Sequence, residues 1–226
     1  QYNMAYFTGP NIVTDGLVFA VDAGSTRSYP GSGTTVTSLI GSNTGTLTNG
    51  VSFNTNNGGT FEFDGTDDYI SVASYTGHQQ ATGTIEAWVN PDTTSGNRYM
   101  FGAGGTYTLG ATRALRLLNG IWSFVSLGSA NTHDWNNAGT ATTGWQHVAI
   151  GWNGTTAYFY LNGVRSSQTL ANMATPTGTA LIMGARPWDN GANMDGEIAA
   201  LKCYSNLLTE AQMQQNFNAQ RTRFGL

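Results

Sequence analysis

Apolar and polar residues alternate along most of the chain, and the alternation stops at short clusters of glycine, asparagine and serine. Leu17, Phe19 and Val21 alternate with Val18, Ala20 and Asp22, and Phe61 and Phe63 alternate with Glu62 and Asp64. Ile85, Ala87 and Val89 oppose Glu86 and Trp88 until Pro91 ends the run. Successive side chains in a strand point to opposite sheet faces, so each segment predicts a half-buried strand. The second half repeats the habit at Leu115-Arg116-Leu117, Trp122 to Val125, Trp145 to Trp152, Ala157 to Leu161, Leu181 to Met183 and Ile198 to Tyr204. Asn-Gly pairs at 49–50, 119–120, 153–154 and 162–163 suit turns with positive φ. Many short strands without an intervening helical period predict two stacked antiparallel sheets.

One helix is signalled near the end. Thr209 is an N-cap residue with Gln212 three positions on, a capping box, and Leu208 and Met213 are spaced as a hydrophobic staple. Met213 and Phe217, four apart, share its buried side. Gly31 to Gly50 is polar, but Val36, Leu39 and Ile40 within it predict a packed loop or weak strand rather than a linker. The expected organisation is an N-terminal arm over residues 1–15, carrying Tyr2, Met4, Tyr6 and Phe7, followed by one β-sandwich domain over 16–226.

Composition narrows the function. Charged residues make up only 10% of 226, the sole lysine is Lys202, and the formal net charge is -4. With no basic stripe, nucleic-acid binding is disfavoured, because Lys and Arg must neutralise phosphates. No apolar run approaches the roughly 20 residues of a membrane span, so membrane insertion is not expected. Cys203 is the single cysteine, which rules out an internal disulfide and suits a small buried hydrophobe.

Four segments carry a family pattern in order. They are Phe63-Asp64-Gly65-Thr66-Asp67-Asp68-Tyr69-Ile70, then Thr84-Ile85-Glu86-Ala87-Trp88-Val89-Asn90-Pro91. The third is Trp145-Gln146-His147-Val148-Ala149, continuing to Tyr160-Leu161-Asn162-Gly163-Val164. The fourth is Met194-Asp195-Gly196-Glu197-Ile198-Ala199, followed by Tyr204 to Ala211. Together they resemble the laminin-G-like branch of the concanavalin A-like lectin/glucanase superfamily. The resemblance implies an all-β fold: a concanavalin A-like jelly-roll sandwich of two antiparallel sheets with one short C-terminal helix. The end of the chain, Gln215 to Leu226, is similar to the ends of such domains in structural proteins of tailed phages.

The resemblance also directs attention to chemistry. Retaining glucanases of this superfamily carry Glu, Asp and Glu alternating along one strand, with the two working carboxylates about 5–5.5 Å apart. Glu62 and Asp64 alternate correctly, but Gly65 separates them from Asp67, and the non-catalytic family motif already accounts for the segment. No catalytic residues are expected. Glu86 and Glu197 have no paired acid at strand spacing, and His78, His133 and His147 lack a nucleophile partner. Jelly rolls of this kind often hold a structural calcium where the first strand meets the last, which implies Asp22 and Asp195 as its ligands.

Carbohydrate recognition calls for aromatic faces beside Asn, Asp and Gln side chains. Two segments outside any clear alternation fit, one with His133, Asp134, Trp135 and Asn136, the other with Arg186, Trp188 and Asp189. The leading expectation is a non-catalytic binding or adhesion module on a phage virion surface, or otherwise secreted or on a cell surface. Its expected partners are host-surface glycans or other virion proteins, in a homo-oligomer or larger assembly. A purely structural virion protein and a glycoside hydrolase remain as alternatives.

Overall fold

The computed structural model describes residues 10–104, 112–127, 132–170, 173 and 178–226. Residues 1–9, most of the expected N-terminal arm, lie outside the described residues. Sixteen strands are described: β1 Leu17–Asp22, β2 Thr35–Thr37, β3 Thr44–Thr48, β4 Ser52–Asn54, β5 Thr60–Asp64, β6 Tyr69–Val72, β7 Thr82–Pro91 and β8 Asn97–Gly104 in the first half. The second half holds β9 Thr112–Leu118, β10 Ile121–Leu127, β11 Thr132–Thr140, β12 Gln146–Asn153, β13 Thr156–Leu161, β14 Val164–Thr169, β15 Ala180–Met183 and β16 Asp195–Tyr204. The helix α1, Glu210–Gln220, follows β16.

The strands form two antiparallel sheets, as a jelly-roll sandwich requires. The first runs β14-β13-β12-β7-β16-β5-β4, with β1 also paired to β16. β5 pairs with residues 195–198 of β16 and β1 with residues 200–204, so these two strands lie end to end along one edge of β16. The second sheet runs β11-β10-β9-β8-β15-β6-β3-β2. Tight turns at Asn119-Gly120 and Asn162-Gly163 join β9 to β10 and β13 to β14. Both residues of each pair have positive φ, the twist that two-residue hairpins favour.

The inner faces meet in one core. Phe19, Phe61, Ile85, Val148 and Trp152 come from the first sheet, and Ile70, Phe101, Leu115, Trp122 and Phe124 from the second. Each large side chain buried there contributes about 1.5–3 kcal/mol. Cys203 belongs to this core, and burial pushes its thiol pKa up to about 12. The weak strand expected inside 31–50 resolves into β2 and β3, with Val36 fully buried but Ile40 exposed.

The outer face of the first sheet is covered by α1. Thr209 and Gln212 form the reciprocal capping box, and Leu208 and Met213 bury together with Val13, Tyr160 and Tyr204. Beneath the helix lies a buried polar network. The Lys202 ammonium donates to Glu86 Oε1 at 2.9 Å and to Gln220 Oε1 at 2.8 Å. Asn216 donates to Glu86 Oε2 at 2.9 Å and accepts from the Val13 amide at 2.7 Å. His147 stands 3.6 Å from Glu86 and stacks near Trp88. Residues 11–13 of the expected arm are thereby tied to the helix, since Gln215 also donates to the Asn11 carbonyl.

Candidate functional site

The outer face of the second sheet gathers most of the residues that the two aromatic segments suggested. Along β9, Leu115 and Leu117 face the core, so Arg116 between them points outward. Its guanidinium meets the Asp134 carboxylate at 3.1 Å and donates to the Asn136 side-chain oxygen, both from β11. On the neighbouring strand β8, Tyr99 is in register with Arg116 and interacts with it. Burial pushes the Tyr99 hydroxyl pKa up, and Arg116 moderates that rise.

The loop between β15 and β16 settles onto Tyr99. Trp188 is half-buried and meets the Tyr99 ring edge-on, with centroids 5.5 Å apart and planes at 79°. Arg186 lies over the Trp188 ring, 5.2 Å from its centroid, and grips Asp189 with two bonds of 2.8 and 2.6 Å. That grip holds the Asp189 carboxyl below its usual pKa. The backbone is also tied, since the Arg186 amide donates to Gly191 and the Tyr99 amide to Ala192. Gly102 lets the loop approach, because a Cβ there would stand 2.7 Å from the Ala114 Cβ and 2.8 Å from Pro187.

One surface therefore joins two segments about fifty residues apart in sequence through Tyr99 and Arg116. It offers an aromatic ring, two guanidinium groups, two carboxylates and the exposed Asn136 amide. Such a set suits planar hydrogen bonding to hydroxyl or carboxylate groups beside a ring face. Arg116 and Tyr99 were missed in the sequence, although the Leu115-Arg116-Leu117 alternation already directs Arg116 away from the core.

Trp135 departs from expectation. The segment 133–137 reads as a loop, yet Thr132–Thr140 is a strand, and Trp135 is 8% exposed within the interlayer core. Its ring faces away from the surface that Asp134 and Asn136 occupy. The His133 backbone belongs to β11, and its side chain lies outside the described residues.

The calcium pair is not brought together. Asp22 is in register with Ala200 and Asp195 with Asp64, which separates them by five positions along β16, roughly 16 Å. Asp22 is instead held by Arg223, whose Nη1 lies 2.9 Å from both carboxylate oxygens. The same guanidinium donates to the carbonyls of Asn57 and Gly59. Arginine thus supplies the positive charge that a metal would otherwise bring to the carboxylate and carbonyls at this turn. Asp195 faces Arg98 at 3.8 Å.

Glu62 and Asp64 share the outward face of β5, and Asp67 falls in the turn beyond it. The structure adds a pairing that strand spacing hid: Glu197 lies directly opposite Glu62 across the sheet. Ser52 and Asn54 donate to the two Glu62 oxygens, and Thr60 and Asn90 to those of Glu197. All four oxygens are engaged by neighbouring side chains.

Two antiparallel sheets enclosing one core, with loops and an aromatic-lined outer face, define a jelly-roll domain of the lectin type. Residues 64–214 match the family model described as the Concanavalin A-like lectin/glucanases superfamily, and the chain belongs to that family. No curated protein matches it by sequence. Among solved structures, the binding domain of botulinum neurotoxin serotype D is similar, with a TM-score of 0.69 and 15% identity over 91% of this chain. The chain spans about half the length of that domain, 52%. Domain 4 of the extracellular GH43 arabinanase from Geobacillus stearothermophilus, solved with arabinotriose, gives a TM-score of 0.71 and 18% identity. Here 89% of this chain covers 98% of the other. A Trypanosoma rangeli sialidase mutant with trans-sialidase activity gives 0.68 and 16%, covering 95% of this chain and 35% of that one. At these identities the likeness speaks for the fold.

Proposed function

We propose that the chain is a non-catalytic carbohydrate-binding module whose ligand lies on the outer face of the second sheet. The observation that carries this reading is the convergence of Trp188, Arg186 and Asp189 with Asp134, Asn136 and Arg116 around Tyr99. A half-buried indole beside fixed donors and acceptors gives both stacking and hydroxyl recognition. The arabinanase domain solved with arabinotriose, which this chain matches along almost its whole length, supports the same class of ligand.

The test is a glycan array probed with the whole chain, followed by affinity measurement on Trp188→Ala. Binding that falls at least about tenfold in the variant is expected, the loss of roughly one stacking contact. No glycan bound by the wild type, or equal binding by both proteins, would overturn the reading. The proposed setting is a virion surface, on the strength of the phage-like ending at 215–226 and the lysine-poor texture. A stable oligomer by light scattering that binds no glycan would point to the purely structural role instead.

A further inference from the structure

The turn from β5 to β6 draws three carboxylates together. Asp64 ends β5, Gly65 turns the chain with a φ of 76°, and Asp67 and Asp68 follow. One oxygen from each acid lies within 4.8 Å of the other two. Part of the arrangement is local. Asp64 Oδ1 accepts from the Thr66 amide at 2.8 Å, and Asp68 Oδ2 accepts from the Asp64 amide at 3.1 Å.

The other oxygen of Asp68 has no such explanation. Asp68 is 3% exposed, and its Oδ1 is buried without a hydrogen-bond partner among the described residues. The oxygen faces Gly50, where a Cβ would stand 3.2 Å away. It looks onto a pocket lined by Gly50, Ser52, Glu62, Phe63, Asp64 and Asp68. A buried carboxylate oxygen left unpaired is costly unless a cation or a proton meets it. Asp68 is therefore the member of the group with most to gain from a counter-ion.

We infer that Asp64, Asp67 and Asp68 form a divalent-cation site whose ion is calcium. The donors are all oxygen, the preference of a hard cation. Calcium holds its ligands at about 2.3–2.6 Å, so oxygens around one ion stand up to roughly 5 Å apart, whereas magnesium draws them to about 4 Å. The trio's oxygens, all within 4.8 Å of one another, fall inside the calcium span. Asp64 and Asp67 are exposed, which leaves water to complete the shell. Arg98 bonds to the Asn193 carbonyl and stands 3.8 Å from Asp195, with its Nη1 2.9 Å from where a Cβ on Gly65 would lie, beside the turn. The site also abuts the Trp188 loop, since Asn193 Nδ2 donates to the carbonyls of Asp68 and Asn190. The inference does not depend on glycan binding.

Calorimetric titration of calcium chloride into the whole chain at pH 7, in chelator-stripped buffer, tests it. One saturable site is expected, at least tenfold weaker in Asp64→Asn and in Asp67→Asn and unchanged in Asp22→Asn. Magnesium chloride should bind at least tenfold more weakly than calcium. Both Asp64 and Asp67 are exposed, so these variants fold even where Asp68→Asn does not. No saturable heat, equal affinity in the Asp64 and Asp67 variants, or loss of binding in Asp22→Asn would each overturn it.

Discussion

Replacing Lys202 by methionine removes the single ammonium from beneath α1 and leaves Glu86 with no positive partner on its Oε1 side. The pair is 2.9 Å apart, with the two side chains 7% and 0% exposed. Removing one member of a buried pair costs about 3–5 kcal/mol, because the survivor keeps its desolvation penalty. A second route gives a similar figure. Burial raises the Glu86 pKa, but Lys202, His147 and Asn216 outweigh it and hold the carboxyl at about 2, against 4.5 when unperturbed. That depression corresponds to about 3 kcal/mol. The stabilisation is fully present above about pH 4.5 and is lost as pH falls through about 2.

In Lys202→Met the sign reverses. Burial then acts with little opposition, the folded-state pKa rises above 4.5, and acidification from neutral pH protonates Glu86 and recovers stability. Urea unfolding at pH 7 and pH 5 reads both effects, provided the urea dependence of the free energy is unchanged. The expected cost is about 3–5 kcal/mol at pH 7 and less at pH 5. Adding Glu86→Gln should restore at least about 2 kcal/mol, as coupled neighbours do in a double-mutant cycle. A cost below about 1 kcal/mol at pH 7, or no rescue by Glu86→Gln, would refute the reasoning.

Two further outcomes follow from buried positions. His78 is fully buried, and burial lowers its pKa to about 4, against the bond to Gly178 that raises it and with Arg113 lowering it further. The unfolded chain binds a proton near pH 6.5 and the folded chain does not, so stability should fall by on the order of 3 kcal/mol between about pH 6.5 and 4. His78→Gln, which can still donate to the Gly178 carbonyl, should flatten that part of the curve in pH-dependent urea melts, and an unaltered slope would contradict it. Gly102→Ala forces a Cβ against Ala114 and Pro187 and should cost about 1–3 kcal/mol by overpacking. Because the strain falls on the Trp188 loop, glycan affinity should drop as well, and a variant with wild-type stability and affinity would sink the argument.

Most of the fold was legible because its signals are local. Alternation in β1, β5 and β7, the Asn-Gly turns and the Thr209–Gln212 box each act within a few residues. β11 was not, and the register shows why. Trp122 pairs with Gly139 and Phe124 with Trp135, so a bulge inserts residues into β11. Trp135 and Ala138, three apart rather than two, then both reach the core, and the period-two signal disappears. The long-range polar pairings hid for a different reason. Asp22 finds Arg223 across 201 positions, and Asn216 finds Glu86 across 130. No spacing in the sequence marks such partners, so an aspartate neutralised by arginine is indistinguishable there from one awaiting a metal.

The same long-range contacts decide which face remains for a ligand. On the first sheet, Trp88, Ala199 and Phe224 form one buried cluster with Phe217 packed against it, and Val13, Tyr160, Leu208 and Met213 another. Those clusters, the Lys202–Glu86 pair between them and the helix above commit the middle of that face to stability. Any ligand entering there would have to displace α1 and leave Glu86 and Lys202 unpaired, a cost of several kcal/mol before binding begins. The second sheet has no helix over it among the described residues, and the side chains on its outer face around Arg116 and Trp188 bond mainly to one another. A ligand there exchanges surface contacts without unfolding anything beneath them. Under the proposed binding role, the energetics of the first sheet leave the second as the face open to a ligand, and Arg116 and Trp188, rather than the more numerous tryptophans of the core, are the residues to vary.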